Sequence, residues 1–67
     1  MNIILNDIPT KLPDNVKSVA DLVVWKQLNP QGTAVAVNNK LVRQDSWKIS
    51  MLSDLDQVTI ISAAYGG

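Results

Sequence analysis

The sequence predicts an α+β fold in which a mixed sheet of four to five strands packs on one main helix. Three observations predict it: apolar, β-branched segments stand near both ends of the chain, one central segment has helical apolar spacing, and short turn sequences separate the remaining strands. A chain of 67 residues suits one thin core, since it buries only about 60% of its unfolded surface. Residues 1–67 are therefore expected to form a single domain.

Two short strands are predicted at the start of the chain. Residues 1–5 are apolar and β-branched, and Asn6-Asp7 tolerates the backbone geometry of a tight turn. A second strand is expected at residues 8–12. Because Pro9 has no N–H to donate to a ladder, this second strand should lie at an edge of the sheet.

The main helix is predicted to begin at Ser18. Its hydroxyl can accept a hydrogen bond from the first free N–H groups, and Asp21 lies near the positive end of the helix dipole. Asn29-Pro30 is expected to end the helix, because the residue before a proline is pushed out of helical geometry. The face expected to pack on the sheet carries Val19, Leu22, Val23 and the aliphatic stem of Lys26.

A second pair of strands is predicted after the helix. Residues 33–37 alternate with period two, and Asn38-Asn39 is a tight-turn pair that leads into a strand at residues 40–43. On the pleated strand, one side should carry Val35 and Val37 and the other side Ala34 and Ala36.

The last strand is predicted at residues 57–62, after an irregular segment anchored by Trp47. The order strand, strand, helix, strand, strand, strand is that of the β-grasp fold, in which the first and last strands lie parallel and adjacent at the sheet centre. The last strand would then end at the surface. Residues 63–67 are expected to project from it as a flexible tail.

Composition excludes several classes of chemistry. The chain contains no Cys, His or Glu, which removes thiol catalysis, disulfides and zinc ligation by thiolate or imidazole. Six basic residues balance six acidic ones, so nucleic-acid binding is not expected, and no apolar run is long enough to span a membrane. Asp54 and Asp56 lack further ligands, and no metal site is expected. A cytoplasmic location is the expectation.

The tail offers the one group suited to chemistry, the carboxylate of Gly67. A carboxylate becomes an acyl donor only after activation, for instance as an acyl-adenylate, in a narrow site that excludes water. Gly66 and Gly67 suit entry into such a narrow site because they have no side chains. Tyr65 could plug the entrance of the site or align the chain there. The alternative is a frayed end without function.

The chain resembles the thiamine-biosynthesis sulfur carrier (ThiS) family over essentially its whole length. The resemblance rests on Gly66-Gly67 together with a helix start and several short segments, namely Ser18-Val19-Ala20-Asp21-Leu22, Ala34-Val35-Ala36-Val37-Asn38, Leu41-Val42, Ser46-Trp47, Leu52 and Asp56. Two turns depart from the family: it commonly has Asn-Gly where this chain has Asn6-Asp7, and Gly-Asp where this chain has Leu55-Asp56. These departures bear on turn geometry and leave the tail chemistry unaffected.

The resemblance implies a carrier that acts as a co-substrate and is not itself an enzyme. An adenylating partner related to ubiquitin-activating enzymes would use ATP and Mg to adenylate the Gly67 carboxylate, with no cofactor bound to the carrier. Sulfur from a cysteine desulfurase system would replace AMP, and the thiocarboxylate would donate sulfur to thiazole synthase. A carrier for another pathway, such as molybdopterin synthesis, and a ubiquitin-like modifier are the alternatives.

A docking surface is expected on the sheet face that points away from the helix. If Ile3 and Leu5 face the helix, the opposite face should hold a cluster of apolar residues, and such clusters can mark partner surfaces. The expected cluster brings Ile4 and Ile61 together near Ala34 and Ala36. We hypothesise that it docks both the activating enzyme and thiazole synthase. Coverage by loops or self-association is the alternative.

Overall fold

The computed structural model describes residues 1–62 and confirms the predicted mixed sheet packed on one main helix. The sheet has five strands in the order β2-β1-β5-β3-β4, so that β5 lies at its centre. The elements are β1 (Asn2–Leu5), β2 (Ile8–Lys11), α1 (Val19–Trp25), β3 (Thr33–Val37), β4 (Lys40–Val42) and β5 (Gln57–Ser62). The tail predicted at residues 63–67 lies outside the described residues.

The strand pairing is that of the β-grasp fold. The first and last strands, β1 and β5, are parallel neighbours, with Ile4 opposite Gln57 and Leu5 opposite Val58. On its other side, β5 pairs antiparallel with β3 over five positions. Strand β2 forms an edge of the sheet, as Pro9 predicts.

Both predicted hairpin turns are present, and both place two residues in the left-handed region. The φ angles are 48° and 67° at Asn6 and Asp7, and 51° and 68° at Asn38 and Asn39. Left-handed geometry at both central residues defines a type I′ turn, whose twist matches that of the adjoining strands. Asn and Asp tolerate this geometry better than other residues with a Cβ atom.

The helix begins where the sequence predicts. The Ser18 hydroxyl accepts a hydrogen bond from the Asp21 N–H at 3.0 Å. In return, one Asp21 carboxylate oxygen accepts the N–H groups of Lys17 at 3.0 Å and Ser18 at 3.1 Å. The Lys17 and then the Ser18 N–H groups hold the pKa of Asp21 below its ordinary value of 3.8, because they stabilise the charged carboxylate.

The helix ends earlier than predicted, at Trp25 instead of at Asn29-Pro30. Gln27 has φ of 58°, and the Leu28 N–H bonds to the carbonyl of Val23 at 3.1 Å, in the pattern of a Schellman motif. This motif turns the chain before Pro30 is reached. It also places Leu28 in a half-buried position against the core, and burial of this side chain favours the motif.

The predicted placement of the Lys26 stem along the apolar face agrees with its position beside Leu5, Leu28 and Ile60, with which it lines a groove. Lys26 is the residue that caps the C-terminal end of α1 and it is exposed. Its ammonium lies 5.8 Å from the ring centre of Trp25, a cation–π distance at an exposed site.

The core lies between α1 and the inner face of the sheet. The predicted Val19, Leu22 and Val23 of the helix are buried there. Trp47 closes one side, and its indole N–H donates to the carbonyl of Val42 at 3.0 Å, as an anchoring role requires. The buried apolar residues are Ile3, Leu5, Leu12, Val16, Val19, Leu22, Val23, Val35, Trp47, Leu52, Val58 and Ile60.

The turn before β5 contains a leucine in an unfavourable conformation. Leu55 has φ of 69° and an exposed side chain, while its N–H donates to the carbonyl of Asn2 at 2.6 Å. A left-handed residue with a Cβ atom costs about 1–2 kcal/mol. Hydrogen bonds around the turn therefore hold Leu55 in a backbone conformation that a residue with a Cβ atom disfavours.

Replacing Leu55 with glycine should stabilise the fold. We expect Leu55→Gly to raise the free energy of unfolding by about 0.5–1 kcal/mol, because removal of the strain outweighs the added entropy of the unfolded chain. Urea denaturation measures this. Ser53→Gly is the matched control: Ser53 has no positive φ, so its replacement should destabilise. A loss of stability in Leu55→Gly would contradict the conclusion that the backbone of Leu55 is strained.

The stability contributed by Asp21 should depend on pH. Its folded pKa is lowered, so its contribution is present above the ordinary value of 3.8 and is lost as pH falls through the folded pKa. Asp21→Asn should therefore be less stable than the parent at neutral pH, and the difference should shrink on acidification. Urea denaturation across this range tests it. A difference that stays constant or grows at low pH would count against the prediction.

Candidate functional site

The site begins at the end of β5, from which the chain continues into residues 63–67. Ser62, the last residue of this central strand, is buried. The predicted functional residues Tyr65, Gly66 and Gly67 lie outside the described residues. The structure therefore defines how the base of this segment is held.

On one side, β3 holds the end of β5. The antiparallel ladder continues to the final strand residue, pairing Ala34 with Ile61 and Thr33 with Ser62. The hydroxyl oxygens of Thr33 and Ser62 are 3.4 Å apart. Backbone pairing on this side thus reaches the last described residue.

On the other side, β1 stops short and a side chain completes the ladder. The Asn6 N–H donates to the carbonyl of Val58 at 2.9 Å, after which the chain turns away into β2. The Asn6 carboxamide then bonds to the backbone of Ile60 twice: its oxygen accepts the N–H at 2.8 Å, and its NH₂ donates to the carbonyl at 3.2 Å. A carboxamide offers the same donor and acceptor as a peptide group, so it substitutes for a strand residue.

A second asparagine holds the beginning of β5. The Asn38 carboxamide oxygen accepts the Gln57 N–H at 2.9 Å, and its NH₂ donates to the Asp56 carboxylate at 3.0 Å. Its own N–H donates to the Gln57 carbonyl at 2.7 Å. Sequence reasoning placed Asn6 and Asn38 in turns and missed these bonds to β5.

The outer face of the sheet carries an exposed apolar surface, which we call the outer patch (Ala34, Ala36, Leu41 and Ile61). The pairings Ala34–Ile61 and Ala36–Leu41 place its members on three adjacent strands. Ile61 is 68% exposed and Leu41 is 71% exposed. The cluster expected from the sequence did not include Leu41, although the two-residue turn at Asn38-Asn39 sets its position opposite Ala36.

Ile4 does not belong to the outer patch, which corrects the expectation that it lies together with Ile61. The register pairs Ile4 with Gln57, four residues before Ile61, a separation of about 13 Å along the strand. Ile4 is half-buried and lies opposite Pro9 of the edge strand. The two isoleucines share a face, but they are separated by the register of the parallel pair.

The described part of the chain holds little else that suggests chemistry. Among residues 1–62 there is no cluster of three or more His, Cys, Asp or Glu residues that could hold a metal ion. A groove of about 220 Å³ lies beside Asn6, and its lining includes Ile8, Leu28 and Ile60. No helix within these residues is long and apolar enough to cross a membrane.

The fold and the site together define a small β-grasp protein in which residues 63–67 follow the central strand in the sequence. The ThiS family matches residues 3–67. The chain belongs to this family, and the resemblance to thiamine-biosynthesis sulfur carriers is confirmed.

A solved structure shares the same fold. The thiamine biosynthesis protein ThiS from Geobacter metallireducens superimposes with a TM-score of 0.82, covering 92% of this chain and 93% of that chain. The two sequences are 17% identical, so this likeness shows the fold. Comparison with curated proteins finds no match.

Proposed function

We propose that this protein is a sulfur carrier in thiamine biosynthesis and that its working atoms are those of the Gly67 carboxylate. The observation that carries the proposal is the ThiS family match, which extends through Gly66 and Gly67. The protein acts as a co-substrate of partner enzymes. We also propose that it works in the cytoplasm.

The proposed chemistry begins with activation of the carboxylate. A Gly67 carboxylate oxygen attacks the α-phosphorus of ATP on an adenylating partner, and pyrophosphate leaves. The partner supplies the Mg, which neutralises the developing phosphate charge. The terminal sulfur of a persulfide from a cysteine desulfurase system then attacks the acyl carbon, AMP leaves, and an acyl disulfide forms. A thiol of the partner system cleaves the S–S bond of this acyl disulfide, which releases the thiocarboxylate and leaves a disulfide on the partner. The thiocarboxylate donates its sulfur to thiazole synthase.

The position of β5 supports this role. Five residues follow Ser62, and a chain of that length spans at most about 18 Å. The Gly67 carboxylate therefore cannot act far from the sheet, and the partner must approach the end of β5. Gly66 and Gly67 have no side chains, so their backbone can enter a narrow site on the partner. Tyr65 plugs or aligns with the entrance of that site.

The outer patch is the surface we propose for docking the adenylating enzyme and thiazole synthase. It lies on β5 and its neighbours, so a partner seated there is within reach of the residues that follow Ser62. Ile61 and Leu41 provide the exposed apolar area, and the small Ala34 and Ala36 leave the surface between them open. Ile4 of the predicted surface lies outside this contact.

The first test is the mass of the intact protein after reaction. Incubation with the adenylating enzyme, ATP and a sulfur source should replace one carboxylate oxygen with sulfur. The variant lacking Gly67 is the control, and it should remain unmodified and should not support thiazole formation. An unchanged mass with active partners would refute the carrier role. An isopeptide bond to a target lysine would instead identify a protein modifier.

A second test concerns the outer patch. Ile61→Asp should weaken binding to both partners by at least about tenfold, because it places a charge in a contact that must lose its water. Ile49→Asp is the matched control, since Ile49 is 79% exposed and lies outside the sheet. Titration calorimetry measures binding, and circular dichroism verifies folding. Equal binding by both folded variants would exclude the outer patch as the docking surface.

A further inference from the structure

We propose that the solvent side of α1 is a second interaction surface, which binds an acidic amphipathic segment of a partner protein. We call this surface the helix patch (Ala20, Val24, Trp25 and Met51). Its members line two adjoining grooves that meet at Val24. Because the opposite side of α1 packs in the core, the helix patch and the outer patch lie on opposite sides of the domain. The proposal therefore does not depend on the proposed function.

The first observation is that α1 is apolar on both sides. Six of its seven residues are apolar, and Asp21 is the exception. A surface helix of a globular protein usually carries polar or charged residues on its solvent side. Here Val24 is 75% exposed on that side, and the neighbouring Met51 is 62% exposed. Exposed apolar residues that cluster in this way mark interaction sites.

The second observation is that hydrogen bonds hold the two parts of the helix patch together. Met51 comes from the irregular segment between β4 and β5, which runs beside the start of α1. The Leu52 N–H donates to the Lys17 carbonyl at 2.8 Å, and the Val19 N–H donates to the Ser50 carbonyl at 2.9 Å. The surface is thus formed before a partner binds, which lowers the entropic cost of binding.

The third observation is that two lysines, Lys17 and Lys48, lie beside the helix patch. Both line one open groove of about 460 Å³, together with Val24 and Met51. Both are exposed, and neither forms an ion pair with another of residues 1–62. The groove therefore combines apolar contact with two cationic side chains.

Asp21 lines the same groove, but its carboxylate is engaged at the start of the helix. One of its oxygens accepts the N–H groups of Lys17 and Ser18. The groove keeps an excess of positive charge, because two lysines stand against this one carboxylate. A partner that supplies its own carboxylates would complement this charge.

The charge and shape of the groove favour a protein segment over other occupants. A second copy docked through the same patch would bring lysines against lysines, and like charges in a contact are costly. A lipid surface is bound by a long apolar stripe, whereas α1 has only seven residues. A segment with an apolar anchor and carboxylates one helical turn away suits both the groove and the lysines.

The experiment titrates the isotope-labelled protein with a synthetic peptide that carries leucines at helical spacing and glutamates on either side of them. A peptide with lysine in place of each glutamate is the control probe. NMR chemical shifts locate the contact and give the dissociation constant. The variants are Lys17→Glu combined with Lys48→Glu, which reverses the charge, and Val24→Ser, which removes apolar area. Lys40→Glu is the matched control, since Lys40 is an exposed lysine of β4.

We expect the glutamate peptide to shift the amide signals of Val24, Lys48 and Met51, and the lysine peptide to leave them unchanged. The double charge reversal should weaken binding of the glutamate peptide at least about tenfold and allow the lysine peptide to bind. Val24→Ser should weaken binding about fivefold, and Lys40→Glu should bind like the parent. Circular dichroism verifies folding, and the charge reversal serves as the test if Val24→Ser does not fold.

The proposal fails if neither peptide binds, or if both bind equally well, because carboxylates would then not be recognised. Shift changes centred on the outer patch would place the contact on the wrong side of the domain. Signals of the helix patch that move with protein concentration alone would assign it to a second copy. Vesicles of phosphatidylglycerol and phosphatidylcholine that bind the parent more tightly than the peptide does, and do not bind Val24→Ser, would assign it to a lipid surface.

Discussion

The parallel pairing of β1 with β5 is the constraint on which the rest of the structure depends. It joins the two ends of the described chain, pairing Ile4 with Gln57 and Leu5 with Val58, and places the last strand between the first strand and β3. Closing so long a loop costs entropy, which burial of the inner face must offset. Both Val58 and Ile60 lie in that buried face. β5 is thus held as the central strand of the sheet.

One face of β5 packs in the core and the other face is exposed on the outside of the sheet. Its side chains alternate strictly between exposed and buried positions, so the strand contributes to the core with every second residue. The intervening residues point outward, and Ile61 among them is largely exposed. A change on the outer face can therefore alter partner binding with little effect on the core. This separation allows a domain with one thin core to present an apolar surface.

Two asparagines combine turn formation with strand pairing. Asn6 and Asn38 each occupy the first central position of a type I′ turn, where a left-handed φ is required. Each also directs its carboxamide to the backbone of β5, at opposite ends of the strand. Glycine, which suits such turns equally well, supplies no such bond. The residue chosen for the turn thus also determines how the central strand is held.

The periodicity of apolar residues and the local hydrogen-bonding capacity of side chains were sufficient to predict most of the fold. The alternation in residues 33–37 predicted the two faces of β3, and Ser18 with Asp21 predicted the start of the helix. The end of the helix was not predictable in this way. A Schellman motif with Gln27 at its left-handed position has no glycine to announce it, and burial of Leu28 favours it over continuation to Pro30.

By itself, the sequence determined the fold class, the turns, the two faces of the sheet and the segment that ends in Gly66-Gly67. Only the tertiary structure decided which residues on a face are neighbours: it separated Ile4 from Ile61, added Leu41, and brought the Asn6 carboxamide to Ile60. The reason is physical. A period of two assigns each residue to a face, whereas the register between strands distant in sequence is set by packing of the whole core.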